Sequence, residues 1–304
     1  MADQETPFFP AMECPVCRNT EIIPALTVRD HSVSGEIFEV VECTRCRLRF
    51  TAGAPGDGEI SGYYQSENYI SHSNTRKGMI NWLYHRVRNI TLAGKYRLLK
   101  KATQKEKGKH LDIGAGTGAF VHYLRSKGWE STGIEPDDTA RERARLHHRT
   151  HLLPAAALDT MEPGSFDAIT LWHVLEHVHA LYPYLHRIKS LLRPGGLLFI
   201  AVPNYMSDDA RRYGAFWAAY DVPRHLYHFC PDAMLWLLNQ SGFQFRQMIP
   251  MWWDSYYISL LSEKYKGSSV AALKGLVRGS LSNWKAIGNT AKCSSVIYIA
   301  GQEG

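Results

Sequence analysis

The sequence predicts an α/β chain, with an open parallel sheet covered by helices on both faces and a small β module built on cysteines in front of it. Three observations carry that prediction. Apolar runs of strand length alternate with helical patterns from residue 110 onward, a cluster of glycines follows the first of those runs, and two cysteine pairs of identical spacing stand near the start of the chain. A length of 304 residues suits one sizeable core and a smaller unit. With 45% hydrophobic and 21% charged residues the composition is that of a folded chain, which excludes general disorder. No apolar run approaches the roughly 18 residues that cross a bilayer. Residues 1–10 are polar and acidic rather than signal-like, so the expected compartment is the cytoplasm.

The cysteine module is placed at residues 1–52. Cys14 and Cys17 form one CxxC pair and Cys43 and Cys46 the other, with 25 residues between them. Those residues hold a turn-rich stretch (30–35) and an alternating one (36–42), the pattern of a hairpin. Two CxxC turns can present four thiolates to one ion, which is the spacing of a zinc ribbon. Such a closed shell makes the zinc structural. Disulfides are the plainer reading, disfavoured in a cytoplasmic chain, and a redox pair is another, disfavoured because CxxC occurs twice outside a thioredoxin-like context. Cys230 and Cys293 stand alone and are expected in the core.

Residues 53–107 are assigned to a linker rich in Gly, Ala, Pro and Asp, followed by a helical cover in which Ile80, Leu83, Val87, Ile90 and Leu98 keep helical spacing. The densest basic run (Lys100, Lys101, Lys105, Lys107 and Lys109, broken by Glu106) reads as a solvated helix end. The net charge of +6 is spread along the chain, so nucleic acid is an unfavoured partner.

The third part, 108–304, begins with a strand at 111–113 that enters the glycine cluster Gly114, Gly116 and Gly118, followed by a helix ending near Gly128. A second strand (131–135) ends on Glu135, a third apolar run (166–171) precedes Trp172, and the fully apolar stretch 197–202 follows Pro194, Gly195 and Gly196. A helix at 231–240 and strands at 243–249 and 295–300 complete the series. Two segments interrupt it, a lid at 204–230 and a helical insertion at 250–292.

The glycines let the backbone turn tightly and approach a ligand closely, and a carboxylate 17 residues after Gly118 can accept hydrogen bonds from ribose hydroxyls. The third glycine falls two residues after the second, not the three of a dinucleotide fingerprint. In these residues, in 166–177 and in the turn 192–196, the chain resembles the small-molecule branch of the class I S-adenosylmethionine (SAM)-dependent methyltransferases, densely over about residues 108–203. The resemblance implies a Rossmann-like sheet and SAM as cofactor. It puts Asp112 and Gly114 near the methionine part, Gly116 near the cofactor backbone and Glu135 on the ribose, with Ala115 and Gly118 in the same cofactor loop. Ala157 and Leu158 fall in the third-strand loop near the adenine, and Trp172 follows the fourth strand. The family often carries an aspartate in that third-strand loop, and Asp159 lies close to its position. Some methyltransferases of sugars and other natural products also carry an N-terminal cysteine-rich module.

For activation of the methyl acceptor two clusters are candidates: His173, Glu176 and His177 after the fourth strand, and Asp221, Arg224, His225, Tyr227 and His228 in the lid. His225 and His228 are favoured over His177 as general base; the plainer reading of each cluster is a capped or closed loop. Aromatic residues at 63–64, 216–217 and 252–253 either line an acceptor pocket or pack the helical cover. Trp252, Trp253, Tyr256 and Tyr257 beside Lys264 and Lys266 also fit peripheral contact with a membrane surface. The expected function is methyl transfer from SAM to a small molecule such as a sugar, a glycosylated metabolite or a quinone-like intermediate. The rivals are nucleic-acid methylation using the ribbon and a non-catalytic SAM-binding module.

Overall fold

The parallel sheet forms where the sequence carries its longest apolar strands. A computed structural model describes residues 12–64 and 79–302, with side chains from residue 89 in the second stretch. The expectations for residues 1–10, and for the side chains of Ile80, Leu83 and Val87, lie outside the described residues. Six strands make the large sheet: β4 (Lys109–Ile113), β5 (Glu130–Ile134), β6 (Phe166–Trp172), β7 (Leu192–Pro203), β9 (Phe243–Pro250) and β10 (Ser295–Gln302). Their order is β5-β4-β6-β7-β10-β9. The first four run parallel, as expected, whereas β10 pairs antiparallel with both β7 and β9. The sheet is therefore mixed, because the chain returns from the helical insertion between two strands already laid down. A third strand after β5 is reduced to one parallel bridge, Ile134 with Leu153.

Both faces of this sheet are covered, which is why β7 runs apolar without interruption from Leu197 to Val202. Leu198, Ile200 and Val202 of β7 point into one apolar cluster, with α5 (Leu181–Leu191) and α7 (Pro231–Gln240) over it. Their neighbours Leu197, Phe199 and Ala201 enter the other, with Leu99 of α1 (Met79–Thr103) and Phe120 and Leu124 of α2 (Ala119–Ser126). Each of these valine, leucine, isoleucine and phenylalanine side chains removed from water contributes about 1.5–3 kcal/mol.

The small antiparallel sheet contains β1 (Ile22–Arg29), β2 (Ile37–Cys43) and β3 (Arg49–Thr51). Its fourth strand, β8 (Tyr227–His228), comes from the lid segment and pairs with β3 through Arg49 opposite His228 and Phe50 opposite Tyr227. The cysteine-bearing hairpin and the segment 204–230 thus share hydrogen bonds. Arg224 reinforces the joint: buried beside a buried Asp30, its guanidinium donates to Asp30 at 2.8 Å, to Asp221 at 2.7 Å and to the Tyr63 carbonyl at 2.9 Å.

Within the insertion, α8 (Asp254–Tyr265) packs along α9 (Ala271–Ala286). The small residues permit it: a Cβ on Gly275 would meet the Leu260 backbone at 2.7 Å. Leu273, Leu276, Val277 and Trp284 of α9 remain exposed. Among the described residues no helix is long and apolar enough to cross a membrane.

Candidate active site

Between β4 and α2 the backbone turns through Gly114, Gly116 and Gly118 at φ values of 72°, 54° and 72°, in the left-handed region that favours glycine. A Cβ on Gly114 would stand 2.4 Å from the Val174 side chain. The turn is fixed from the neighbouring strand, since the Ile134 carbonyl accepts the N–H groups of Gly114 and Ala115, both at 2.9 Å. Immediately afterwards Glu135 receives the Gly116 N–H at 2.7 Å and the Asp137 N–H at 3.0 Å. Burial raises its carboxyl, and those two amides partly offset the rise. Each oxygen keeps a lone pair for a further donor.

Asp112 lies beside this turn, buried near the end of β4. Thr170 stands opposite it in register on β6 and donates to its carboxylate at 2.6 Å. Having spent its one hydrogen there, Thr170 accepts from His110 Nε2 at 2.9 Å; His110 Nδ1 in turn accepts from the Ser131 hydroxyl at 2.8 Å. This relay holds Asp112 in one orientation, and burial keeps His110 neutral by pushing it down to about 3. Burial also pushes the Asp112 carboxyl up to about 6, against the pull of Thr170 and of the Lys95 charge. Lys95 of α1 sits 4.1 Å from the centre of the Trp172 ring, lowered to about 8 by desolvation despite the nearby charges of Asp112 and Asp254. The indole N–H of Trp172 is buried without an acceptor among the described residues.

At the expected adenine side, Ala157 opens α4 (Ala157–Thr160). Leu158 turns its side chain into the core, and both its backbone groups are engaged, the N–H with the Ala155 carbonyl at 3.0 Å and the carbonyl with Arg187 at 2.9 Å.

Beyond β6 the chain makes a tight turn in which His173 adopts φ 57°. His173 Nε2 lies 2.8 Å from Asp254 at the start of α8, and its Nδ1 stands 3.3 Å from Glu176. Against the cost of burial, these two carboxylates push His173 up to about 10, so it is a cation at neutral pH. Glu176 is fully buried, and its carbonyl accepts the Leu226 N–H of the lid at 2.8 Å. That bond brings the two histidine clusters together: the rings of His177 and His225 meet edge to face with centroids 4.7 Å apart. His228 is directed away from them, sharing 3.2 Å with the Thr51 hydroxyl in the seam between β3 and β8 and held well below the ordinary histidine range by burial. Of the three histidines singled out from the sequence, His177 and His225 therefore share a cluster and His228 supports the seam behind it. Lys95, His173 and Asp254 complete the polar surround. Only His173 stood within a motif; Asp254 arrives from the distal insertion and Lys95 from the helical cover, where no local pattern marks them.

Among the aromatic candidates, Trp217 is core, donating to Asp209 at 3.0 Å, whereas Phe216, Trp252 and Trp253 are exposed. The four module cysteines converge. Cys14 and Cys46 sulfurs are 3.5 Å apart, those of Cys17 and Cys43 3.4 Å, and all four lie within 4.8 Å of one another without a disulfide. Tetrahedral coordination with metal–sulfur bonds of about 2.3 Å needs sulfurs about 3.8 Å apart, so the cluster fits a single zinc ion. Cys230 and Cys293 are buried, as expected.

A family model described as "Methyltransferase domain" matches residues 84–248. A ubiquinone biosynthesis O-methyltransferase of Azoarcus sp. is 28% identical over 155 residues, 44% of this chain and 66% of that protein. Another, from Azotobacter vinelandii, is 30% identical over 134 residues, covering 41% and 50%. The chain thus spans two thirds or less of the length of these relatives. Among solved structures, geranyl diphosphate C-methyltransferase from Streptomyces coelicolor A3(2) superposes with a TM-score of 0.51 at 14% identity, over 77% of this chain and 87% of that one. A protein from Pyrococcus horikoshii OT3 does so with a TM-score of 0.50 at 15% identity, over 78% and 99%. These two likenesses concern the fold. Because the family match takes in more than half of the 304 residues, the chain belongs to the methyltransferase-domain family, on a sheet of the class I, SAM-dependent kind.

Proposed function

We propose that the protein transfers a methyl group from SAM to a small-molecule acceptor, and that a structural zinc ion held by Cys14, Cys17, Cys43 and Cys46 braces the lid over the site. The observation that carries this reading is the Glu135 carboxylate, tied to the Gly116 N–H beside a turn whose three glycines all adopt left-handed backbone. When bound, SAM supplies an electrophilic methyl group on a sulfonium. In this assignment Glu135 accepts the ribose hydroxyls, Asp112 and the amides of 114–118 hold the methionine part, Ala157 with the Leu158 backbone borders the adenine, and Trp172 closes the end of β6. Lys95, His173 and Asp254 balance charge around the reacting centre. The acceptor's nucleophile sits against Glu176, His177 and His225, which take or displace its proton. The lid at 204–230 excludes water from the transfer. His228 acts on this site only through the β3–β8 seam. The relatives' names favour a quinone-like acceptor and an oxygen nucleophile.

The test is incubation of the purified protein with methyl-labelled SAM and a fractionated cell extract, with Gly116→Arg as the control that fills the cofactor turn. Label is expected in the small-molecule or lipid fraction for the wild type and nowhere for the variant. Label in RNA, DNA or protein would overturn the acceptor class. Unchanged transfer by Gly116→Arg would overturn the placement of the cofactor.

A further inference from the structure

Glu176, His177 and His225 make a cluster whose geometry is difficult to explain as packing. The Glu176 side chain is fully buried, yet neither carboxylate oxygen has a hydrogen-bond partner among the described residues, and the 3.3 Å approach of His173 Nδ1 is an ion-pair contact outside hydrogen-bond alignment. The His173 imidazolium supplies its counter-charge, but both carboxylate oxygens keep lone pairs that can ligate. The two imidazoles are oriented from behind. His177 Nδ1 lies 2.9 Å from the Arg224 carbonyl and 3.0 Å from the Tyr64 hydroxyl, which can accept from it as well, and His225 Nδ1 lies 2.8 Å from the Ala219 carbonyl. A carbonyl only accepts, so each Nδ1 carries the proton and each Nε2 is left with a lone pair. A carbonyl fixing the Nδ1 proton is the arrangement that prepares a histidine to ligate through Nε2. The first carbonyl belongs to Arg224, whose guanidinium is held in its ion triad, and the second to a helical turn (Ala218–Tyr220) packed against α8.

We propose that Glu176, His177 and His225 bind a divalent transition-metal cation, distinct from the zinc of the four cysteines. One ligand atom from each residue lies within 4.8 Å of the others, near enough for small side-chain rotations to bring them to bonds of about 2.0–2.2 Å on a common centre. Two imidazoles and a carboxylate select zinc, iron or cobalt over magnesium or calcium, which prefer oxygen shells. Three protein ligands leave at least one coordination position open, in contrast to the closed shell of the cysteines. The role of that open position, binding the acceptor's oxygen, rests on the proposed methyl transfer; the metal site itself does not.

Full-length protein loaded with a single equivalent of zinc, which the four thiolates take first, is titrated with Co2+ and followed by visible absorption. The expected result is one further equivalent of Co2+ giving ligand-field bands without a thiolate charge-transfer band. Glu176→Gln, His177→Ala and His225→Ala should each weaken binding tenfold or more, whereas His228→Ala should leave it unchanged. A second readout on the wild type avoids dependence on how the variants fold: the Co2+ form should show two exchangeable, hyperfine-shifted imidazole N–H resonances, from the two carbonyl-bound Nδ1–H groups. No Co2+ uptake, a thiolate band, absence of the two resonances, or unchanged affinity in all three ligand variants would each overturn the proposal. SAM binding is measured on the same samples by calorimetry. Co2+ uptake without SAM binding would sustain the metal site and sink the methyl-transfer reading.

Discussion

At Asp112 a carboxylate sits inside a sheet with one hydroxyl donor and a lysine within range, and its affinity for a proton is set by that enclosure. Its carboxyl is pushed up to about 6 by burial, from 3.8. Between those values the folded chain holds a proton that the unfolded chain has released. This residue's contribution to stability is therefore intact below pH 4, declines as pH rises through that window, and stays lost above it. Asp112→Asn removes the titration. The variant should gain on the wild type progressively between pH 4 and pH 6, reaching about 2–3 kcal/mol, in urea unfolding followed at several pH values. A difference independent of pH would refute the assignment. At this scale much was legible. Asp112 and Glu135 lie in motifs whose spacing places them beside the glycine turn, and the spacing of the cysteines brings all four together. Lys95 and Asp254 were not, because a single lysine or aspartate in a helical stretch acquires meaning only from what the fold brings against it.

The elements show a similar division. The strands β4, β6 and β7 are readable from continuous apolar runs, and the turn before β7 from its proline and glycines. β8 is two residues long, and nothing in Tyr227 or His228 announces pairing with a strand some 180 residues earlier in the chain. Nor does the order of the strands disclose that the last one inserts between β7 and β9. The β3–β8 pairing gives the cysteine site a reach beyond its own hairpin. Replacing Cys14 and Cys43 together by Ser should abolish binding of the proposed zinc and speed hydrogen exchange tenfold or more at residues 49–51 and also at residues 226–228, with the amides of β4, β6 and β7 unaffected. Protection retained at 226–228 after metal loss would show that the lid does not depend on the cysteine module.

For the molecule as a whole, the decisive contact is Arg224. Its guanidinium joins Asp30 of the cysteine module, Asp221 of the lid and the Tyr63 carbonyl of the linker, with the arginine and Asp30 side chains fully enclosed. The arginine holds the Asp30 carboxyl down at about 2 despite the burial that opposes it. Arg224→Met keeps the volume but strands Asp30 without its counter-charge. It should lower the free energy of unfolding at pH 7 by about 3–5 kcal/mol, measured by urea denaturation. A loss below 1 kcal/mol would mean that water or another group readily takes the arginine's place. In the sequence this residue is one of a dense polar group in the lid, and its structural partner lies in a turn near the other end of the chain. The general architecture could be read from local patterns; the tie between its parts could not.

The same seam imposes an order on biosynthesis. The small sheet begins with β1–β3 but lacks its edge partner until residues 227–228 emerge, about 10–35 seconds after residue 51 at ordinary rates of translation. The cysteine hairpin can capture its metal early, whereas β3 must wait with one edge unpaired while the large sheet is still being made. A nascent chain arrested before residue 227 would therefore expose that edge to other chains.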